Sequence, residues 1–338
     1  MALRAAIIGC GKPWKSTGAT GSGISHQHAV GYRTSSRTEL VALADIVREN
    51  AEAFRDEHGG DAIYTDYREM LHEVRPDIVS ICTWPHLHEP MVTAAAEIGI
   101  RAIHCEKPIA PSWGAAKRMV AACETSGTQL TFNHQRRFDR AYVMLRDAIA
   151  RGDIGDLQRL ETPTGNLFDW GTHWFDMMFF LNGEHPAEFV LAQIDPTGGP
   201  TVFGVKMESR GITHVQFSNG VQAIMVTGDH GWPVQIRAVG SRGVIEIGAT
   251  GWDSYRIWAE GSPTWVEHDT SLPEGTPSGF SQAIDEVARC LELGVESQLS
   301  ARRALRATEL IFAAYQSARG AGKVSIPMTF DDATIYAY

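Results

Sequence analysis

No stretch of this 338-residue chain approaches the roughly 20 consecutive apolar residues that a membrane helix needs. Basic residues are outnumbered, 30 Lys and Arg against 40 Asp and Glu, and they form no cluster. With a formal net charge of −10, nucleic acid and an anionic membrane are not expected as partners. Cysteine is scarce and shows no paired spacing: Cys10, Cys82, Cys105, Cys123 and Cys290 stand mostly within apolar segments. Reduced thiols suit that pattern better than a disulfide framework. The few apolar residues before Gly9 are too short a run for a secretory signal, so a cytoplasmic protein is expected. No internal repeat, low-complexity tract or long linker is present. What remains, 43% hydrophobic and 21% charged, is an ordinary globular composition in a chain long enough for two domains.

The first half alternates apolar strands with amphipathic helices. Leu3–Ile8 reads as a buried strand, and Gly9-Cys10-Gly11 follows at once. That is the start of a dinucleotide fingerprint, one glycine for the tight turn and one for close approach to a pyrophosphate. The third glycine is delayed by residues 12–22, and a helical pattern then opens at Gly23-Ile24-Ser25. We read an insertion at the turn, with the helix amino terminus near Gly23. A phosphate loop is excluded, because Ile24 stands where its lysine is required. A second strand, 40–44, ends in Asp45, placed to accept both ribose hydroxyls of NAD and repel a 2′-phosphate. The alternative for Asp45 is to cap a helix over 47–58, and Arg48 leaves NADP open. Strands over 77–83, 100–105 and 128–133, separated by helices over 89–98 and 112–125, complete a parallel, doubly wound sheet. Polar residues at the strand ends, Asp45, Thr83 and Glu106-Lys107, then line one crevice. Pro108 stops the strand after Lys107 and stiffens its backbone at the sheet's carboxyl edge.

After about residue 133 the rhythm changes. Strand patterns dominate from 156 to 268, with hairpin signals such as Ser218-Asn219-Gly220, and predict one mainly antiparallel sheet with a helix over 170–182 packed on it. Helices follow at 278–294 and 300–319. The expected fold is therefore α/β plus α+β: a Rossmann-type domain over 1–128, and a substrate-binding and oligomerisation domain over 129–338. A second chemical cluster lies in the latter, Gly165-Asn166-Leu167-Phe168-Asp169-Trp170-Gly171-Thr172-His173-Trp174-Phe175-Asp176. Helical spacing brings Asp169 and His173 together and sets Asp176 on the same face. The bland alternatives are an Asp169 cap and a core histidine satisfied by Asp176.

Together these segments resemble the glucose–fructose oxidoreductase, inositol dehydrogenase and MocA-like oxidoreductases over nearly the whole chain. The specific carriers are Cys105-Glu106-Lys107-Pro108 and Gly165-x-Leu-x-Asp169-x-Gly171-x-His173-x-x-Asp176. Departures are the insertion at 12–22 and Trp84, where the family usually has a smaller residue. The resemblance implies an NAD(P)-binding Rossmann domain and a large open sheet whose outer face often forms the subunit contact, hence a homo-oligomer, dimer or tetramer. It also implies a sugar, cyclitol or polyol substrate, oxidised by hydride transfer. Cofactor contacts are expected from Gly9, Gly11, Gly23, Ile24, Ser25, Asp45, Thr83, Trp84, His88, Glu106 and Lys107. Lys107, His173 and Asp169 are the catalytic candidates, with Arg136 and Asp176 joining them on the substrate. His173, oriented by Asp169, suits a proton acceptor because imidazole titrates near neutral pH. Lys107 suits stabilisation of the developing alkoxide, though a dry crevice beside a cationic nicotinamide also suits an amine base. Two alternatives keep the fold: an enzyme that retains NAD and oxidises a sugar transiently for cleavage or epimerisation, and a non-catalytic NAD(P)-binding regulator. A metal hydrolase built on His26-x-His28 or His86-x-His88 is the third, and no metal is expected.

Overall fold

The computed structural model describes residues 2–13, 15–19, 23–228, 233–329 and 334–335. Trp14 and Trp232 lie outside the described residues. The chain divides into two compact units. The first holds Met1–Pro111, Ala115–Gln135 and Pro277–Leu305; the second holds Ser112–Gly114, Arg136–Thr276 and Arg306–Tyr338.

In the first unit, strands β1 (Leu3–Ile8), β2 (Thr38–Ala44), β3 (Ala62–Tyr64), β4 (Ile78–Ile81), β5 (Ala102–Cys105) and β6 (Gln129–Phe132) form one sheet. Every pairing is parallel and the order is β3-β2-β1-β4-β5-β6, the doubly wound arrangement expected. Ala5, Ala6 and Ile7 of β1 and all of β4 and β5 are buried, as unbroken apolar strands covered on both faces must be. The crossovers carry α1 (Ile24–Thr34), α2 (Arg48–His58), α3 (Tyr67–Val74), α4 (Pro85–Ile98) and α5 (Trp113–Ser126). The order reverses between β1 and β4, so the carboxyl ends of those strands flank the switch point where such sheets bind ligands.

The 129–338 expectation assigns every later helix to the second half of the chain, whereas α8 (Gly279–Leu293) packs within the first unit. The reason is a notch. Gly31 of α1 lies so close to α8 that a Cβ there would stand 2.7 Å from Ile284 Cγ1.

The second unit begins with a short 3-10 helix, Gln135–Phe138, and α6 (Arg140–Arg151). Its main sheet takes β7 (Leu157–Thr164), β8 (Ala187–Asp195), β11 (Arg210–Phe217), β12 (Gln222–Thr227), β13 (Ile236–Gly240), β14 (Gly243–Ile247), β15 (Tyr255–Ala259), β16 (Val266–His268) and β17 (Val324–Ser325). These nine strands run β16-β15-β14-β13-β7-β12-β11-β8-β17, antiparallel except where β7 meets β12. Within the region predicted as one sheet, residues 201–206 instead form a separate ribbon, β9 (Thr201–Val202) and β10 (Val205–Lys206). Phe203 and Gly204 at φ 51° and 76° turn the chain back between them. Helix α7 (Gly171–Leu181) is buried along its whole length, and Phe179 meets Phe217 of β11 edge-to-face at 5.4 Å. The remaining helix, α9 (Ala301–Gly320), is tied to β8 by Ser317, whose Oγ accepts the Ala192 N–H. A row of alternating charge crosses the sheet through registered partners: Glu161, Arg237, Glu246 and Arg256. The links are Arg237 Nη1 to Glu161 at 3.1 Å, Arg237 Nε to Glu246 at 2.6 Å and Arg256 Nε to Glu246 at 2.8 Å.

The Gly31 notch is testable. Alanine gains about 1 kcal/mol of helix propensity over glycine, but overpacking of this kind costs roughly 1–3 kcal/mol. Gly31→Ala is therefore expected to lower the urea midpoint, and Ile284→Ala added to it to recover part of the loss. A Gly31→Ala midpoint at or above the parent's would show that the two helices simply move apart.

Candidate active site

The amino-terminal turn has the shape a dinucleotide requires. Gly9 has φ 87°, and a Cβ on it would sit 2.8 Å from the Cys82 carbonyl oxygen. Gly11 has φ 60° and faces open space, with nothing within 4 Å of a built Cβ. Its N–H donates to Asp45 Oδ2 at 2.8 Å, while Asp45 Oδ1 accepts from Val47 at 2.9 Å. The residue capping α2 is Val47, so Asp45 serves as a turn carboxylate joining the ends of β1 and β2 rather than as the cap. Gly23, at φ 64°, precedes α1, whose first turn carries no acid to oppose an anion at its amino terminus. These features fit a pyrophosphate-bearing cofactor. The Ser25 hydroxyl, expected near the cofactor, is buried and donates to the Cys10 carbonyl.

At the end of β5 stands a buried carboxylate. Glu106 Oε1 accepts from His28 Nε2 at 2.9 Å and from Asn133 Nδ2 at 2.6 Å; Oε2 accepts the Lys107 main-chain N–H at 3.2 Å. Behind it, His28 Nδ1 lies 2.9 Å from Ser80 Oγ, and Tyr32 Oη lies 2.7 Å from the same oxygen. Tyr32, Ser80, His28 and Glu106 thus form one continuous hydrogen-bonded chain. Burial alone would push the Glu106 carboxyl up. The His28 hydrogen bond and charge, then the Lys107 charge and Asn133, overcome it and hold Glu106 at about 2. Lys107 follows at the strand edge, half-buried, on a cis Lys107–Pro108 bond.

Two expected cofactor contacts are supports instead. Glu106 is 5% exposed and spent on protein partners. His88 is fully buried, its ring nitrogens 3.0 Å from the Thr83 and Ile109 carbonyl oxygens, bracing the β4–α4 turn against the segment after Pro108. Both carbonyls favour a protonated ring, yet burial is the larger influence and draws its pKa down. Thr83 is half-buried beside the switch point, and Trp84 is exposed at the start of α4.

In the second unit the loop before α7 is built by Asn166. Its Oδ1 accepts the Asp169 and Trp170 N–H groups at 2.7 and 3.4 Å, and its carbonyl accepts from Gly171. The cap position of α7 falls on Trp170, with no side-chain cap bond, so Asp169 is not the cap and Asn166 closes the turn ahead of the helix. Below, the buried Glu208 takes the Leu167 N–H at 2.6 Å and the Tyr315 hydroxyl at 2.6 Å. Asp169 is 9% exposed and His173 4% exposed, on the loop and the first turn of α7. Asp176, expected on the substrate, is 1% exposed, and both its oxygens accept from Arg137, at 2.7 and 2.8 Å. It is half of a buried ion pair, with its hydrogen-bonding directions already used. Arg136, the other substrate candidate, is boxed by aromatics: its guanidinium lies 4.5 Å from the Trp174 ring, 5.8 Å from Tyr142 and 5.9 Å from the exposed Trp252.

Comparison with known proteins agrees with this architecture. Residues 3–134 match the model described as oxidoreductase family, NAD-binding Rossmann fold, and residues 158–326 match its C-terminal alpha/beta domain. The chain belongs to the Gfo/Idh/MocA oxidoreductase family. It is 24% identical to the uncharacterized oxidoreductase YrbE of Bacillus subtilis over 93% of this chain and 97% of that protein. It is 26% identical to the inositol 2-dehydrogenase of Rhizobium meliloti over 96% of this chain and all of the relative. Among solved structures, the WlbA dehydrogenase of Bordetella pertussis with NADH and UDP-GlcNAcA superposes at TM-score 0.78, with 21% identity, over 97% of this chain and 100% of that one. As a Gfo/Idh/MocA oxidoreductase the chain carries an NAD-binding Rossmann domain. No helix among the described residues is long and apolar enough to cross a membrane.

The buried histidines give the first unit a pH signature. Burial holds His88 below its ordinary value and takes His104, fully buried, down to about 3. Such groups bind protons only after unfolding, so the stability they confer is complete above about 6.5 and is lost as pH falls toward the folded values. Stability is expected to drop from pH 6.5 to 4. In His104→Gln the slope should lessen by roughly 1 kcal/mol per pH unit. Urea melts across that range decide it; an unchanged slope would mean that His104 takes up its proton in the native state.

Proposed function

We propose that this member of the family is an NAD(P)-dependent dehydrogenase acting on a secondary alcohol, or the matching ketone, of a sugar, cyclitol or related polyol. The observation that carries the proposal is the strand-end constellation: a glycine turn joined to Asp45, and Lys107 following a carboxylate fixed by His28 and Asn133. The relatives' names supply the substrate class, as with the inositol 2-dehydrogenase above. When bound, the nicotinamide supplies the hydride acceptor. Gly9, Gly11 and the amino terminus of α1 are the groups to hold its pyrophosphate, and Asp45 the group to hold its ribose.

The chain's own task is to manage the proton and charge that hydride loss leaves behind. His173 is assigned as the acceptor of the hydroxyl proton, with Asp169 orienting it; a placed base of this kind is worth roughly 10²–10⁴ in rate. Lys107 is assigned to the same oxygen as donor, where a fixed cation stabilises the developing alkoxide. An ordinary ammonium holds its proton at neutral pH by about 4 kcal/mol, which favours the imidazole as base. Arg136 is assigned to substrate hydroxyls, its aromatic box limiting the guanidinium to one orientation.

Spectrophotometric reduction of NAD⁺ and NADP⁺ over a panel of pyranoses, inositols and anhydrosugars tests the activity. On the substrate found, Lys107→Met and His173→Ala should each lower turnover at least about 10²-fold while NAD⁺ affinity, read by cofactor titration, changes little. Full turnover in both variants would remove the assignment. Separately, Asp45→Ala should shift preference from NAD⁺ toward NADP⁺; equal preference before and after would leave Asp45 only its turn role with Gly11.

A further inference from the structure

Three side chains on the first unit's helices have no place in the reading above. His26 lies in the opening turn of α1, and Glu57 and His58 close α2. His26 Nδ1 and His58 Nε2 face each other at 2.7 Å, and Glu57 oxygens lie 3.6 Å from the former and 3.4 Å from the latter. One donor atom from each residue falls within 4.8 Å of the other two. Tetrahedral Zn²⁺ with bonds of about 2.0–2.2 Å sets its ligand atoms about 3.2–3.5 Å apart. The Glu57 contacts come from different oxygens, Oε2 toward His26 and Oε1 toward His58, so one carboxylate oxygen must swing inward and the imidazole nitrogens must open by about half an ångström to reach that geometry.

The rings are packed in place. Each lies 4.7 Å from the ring of Phe54, and their side chains are 12% and 5% exposed. Glu57 is 57% exposed, which gives an ion a route from water and leaves room for a solvent ligand. Burial lowers both imidazole pKa values, against the opposing pull of Glu57. Arg33, whose Nη1 donates to the Glu57 carbonyl oxygen, works against a second positive charge at His58. The carboxylate and the negative carboxyl end of α2 offset it.

We propose that His26, Glu57 and His58 form a site for a divalent ion of the Zn²⁺ class, completed by water, which clasps α1 to α2. The alternative that pairs His26 with His28 does not form, because His28 is turned to Ser80 and Glu106. The site is independent of the substrate assignment. It would stiffen the two helices that begin beyond the glycine turn and beyond Asp45.

The test uses the full chain, stripped with a chelator and titrated with Zn²⁺ against a chromophoric zinc indicator, then with Co²⁺ for visible ligand-field absorption. One equivalent of Zn²⁺ should bind, Co²⁺ should give tetrahedral-type bands, and added Zn²⁺ should raise Tm. His26→Gln with His58→Gln should abolish all three responses. Glu57→Gln, at an exposed position that leaves packing intact, should weaken binding at least about tenfold. Absence of stoichiometric Zn²⁺ binding by the parent protein overturns the proposal, as does binding retained by the variants, which would place the ion on other histidines. Should the double variant fail to fold, unchanged affinity in Glu57→Gln is enough to overturn it.

Discussion

A carboxylate kept ionised inside the protein is the constraint on which the first unit's functional edge rests. Removing a charge from water costs several kcal/mol unless partners replace the lost solvation. Glu106 recovers that cost from three donors reaching it from different parts of the chain: His28 on α1, Asn133 after β6, and the main chain of Lys107. Helix, strand ends and the Lys107 backbone are thereby fixed relative to one another. The hydrogen-bonded chain from Tyr32 through Ser80 extends the same constraint into the core. A family-level oxidoreductase assignment accounts for the strand edge, and this network accounts for its rigidity.

The second unit solves a similar problem with different parts. Its loop before α7 has main-chain N–H groups that no regular ladder takes, and Asn166 and Glu208 satisfy them. The Arg137–Asp176 pair then secures α7 to the segment after Gln135, with Glu184 taking the third guanidinium nitrogen at 2.6 Å. His173 thus stands on a helix whose every residue is buried, a stiffer platform than an exposed loop.

Much of this was legible in the residues, because periodicity reports burial locally. The parallel strands, the buried α7 and the long helices at 278–294 and 300–319 all follow from spacing. What spacing does not carry is the partner across the fold. His28 is 78 residues from Glu106, and nothing adjacent to either distinguishes a structural base from a ligand. Asp176 had the right register to face a substrate, but its partner Arg137 lies 39 residues earlier. Asn166 carried a usable signal, an amide three residues ahead of Asp169 at a helix entry. Glu208 did not, falling between two strand patterns. The short ribbon at 201–206 shows the limit for strands, since a turn at Phe203 and Gly204 leaves no trace in alternation.

The charged row across the second sheet has a consequence for assembly. Arg237, Glu246 and Arg256 alternate along their strands with inward-facing Ala238 and Ile245. Because side chains alternate faces with a period of two, a one-residue misalignment would drive these charges inward and turn the aliphatics to water. It would also leave Glu246, 2% exposed, stripped of both guanidinium neighbours. The wide antiparallel surface therefore carries its own alignment check, because a slipped hairpin would bury charge without its partners.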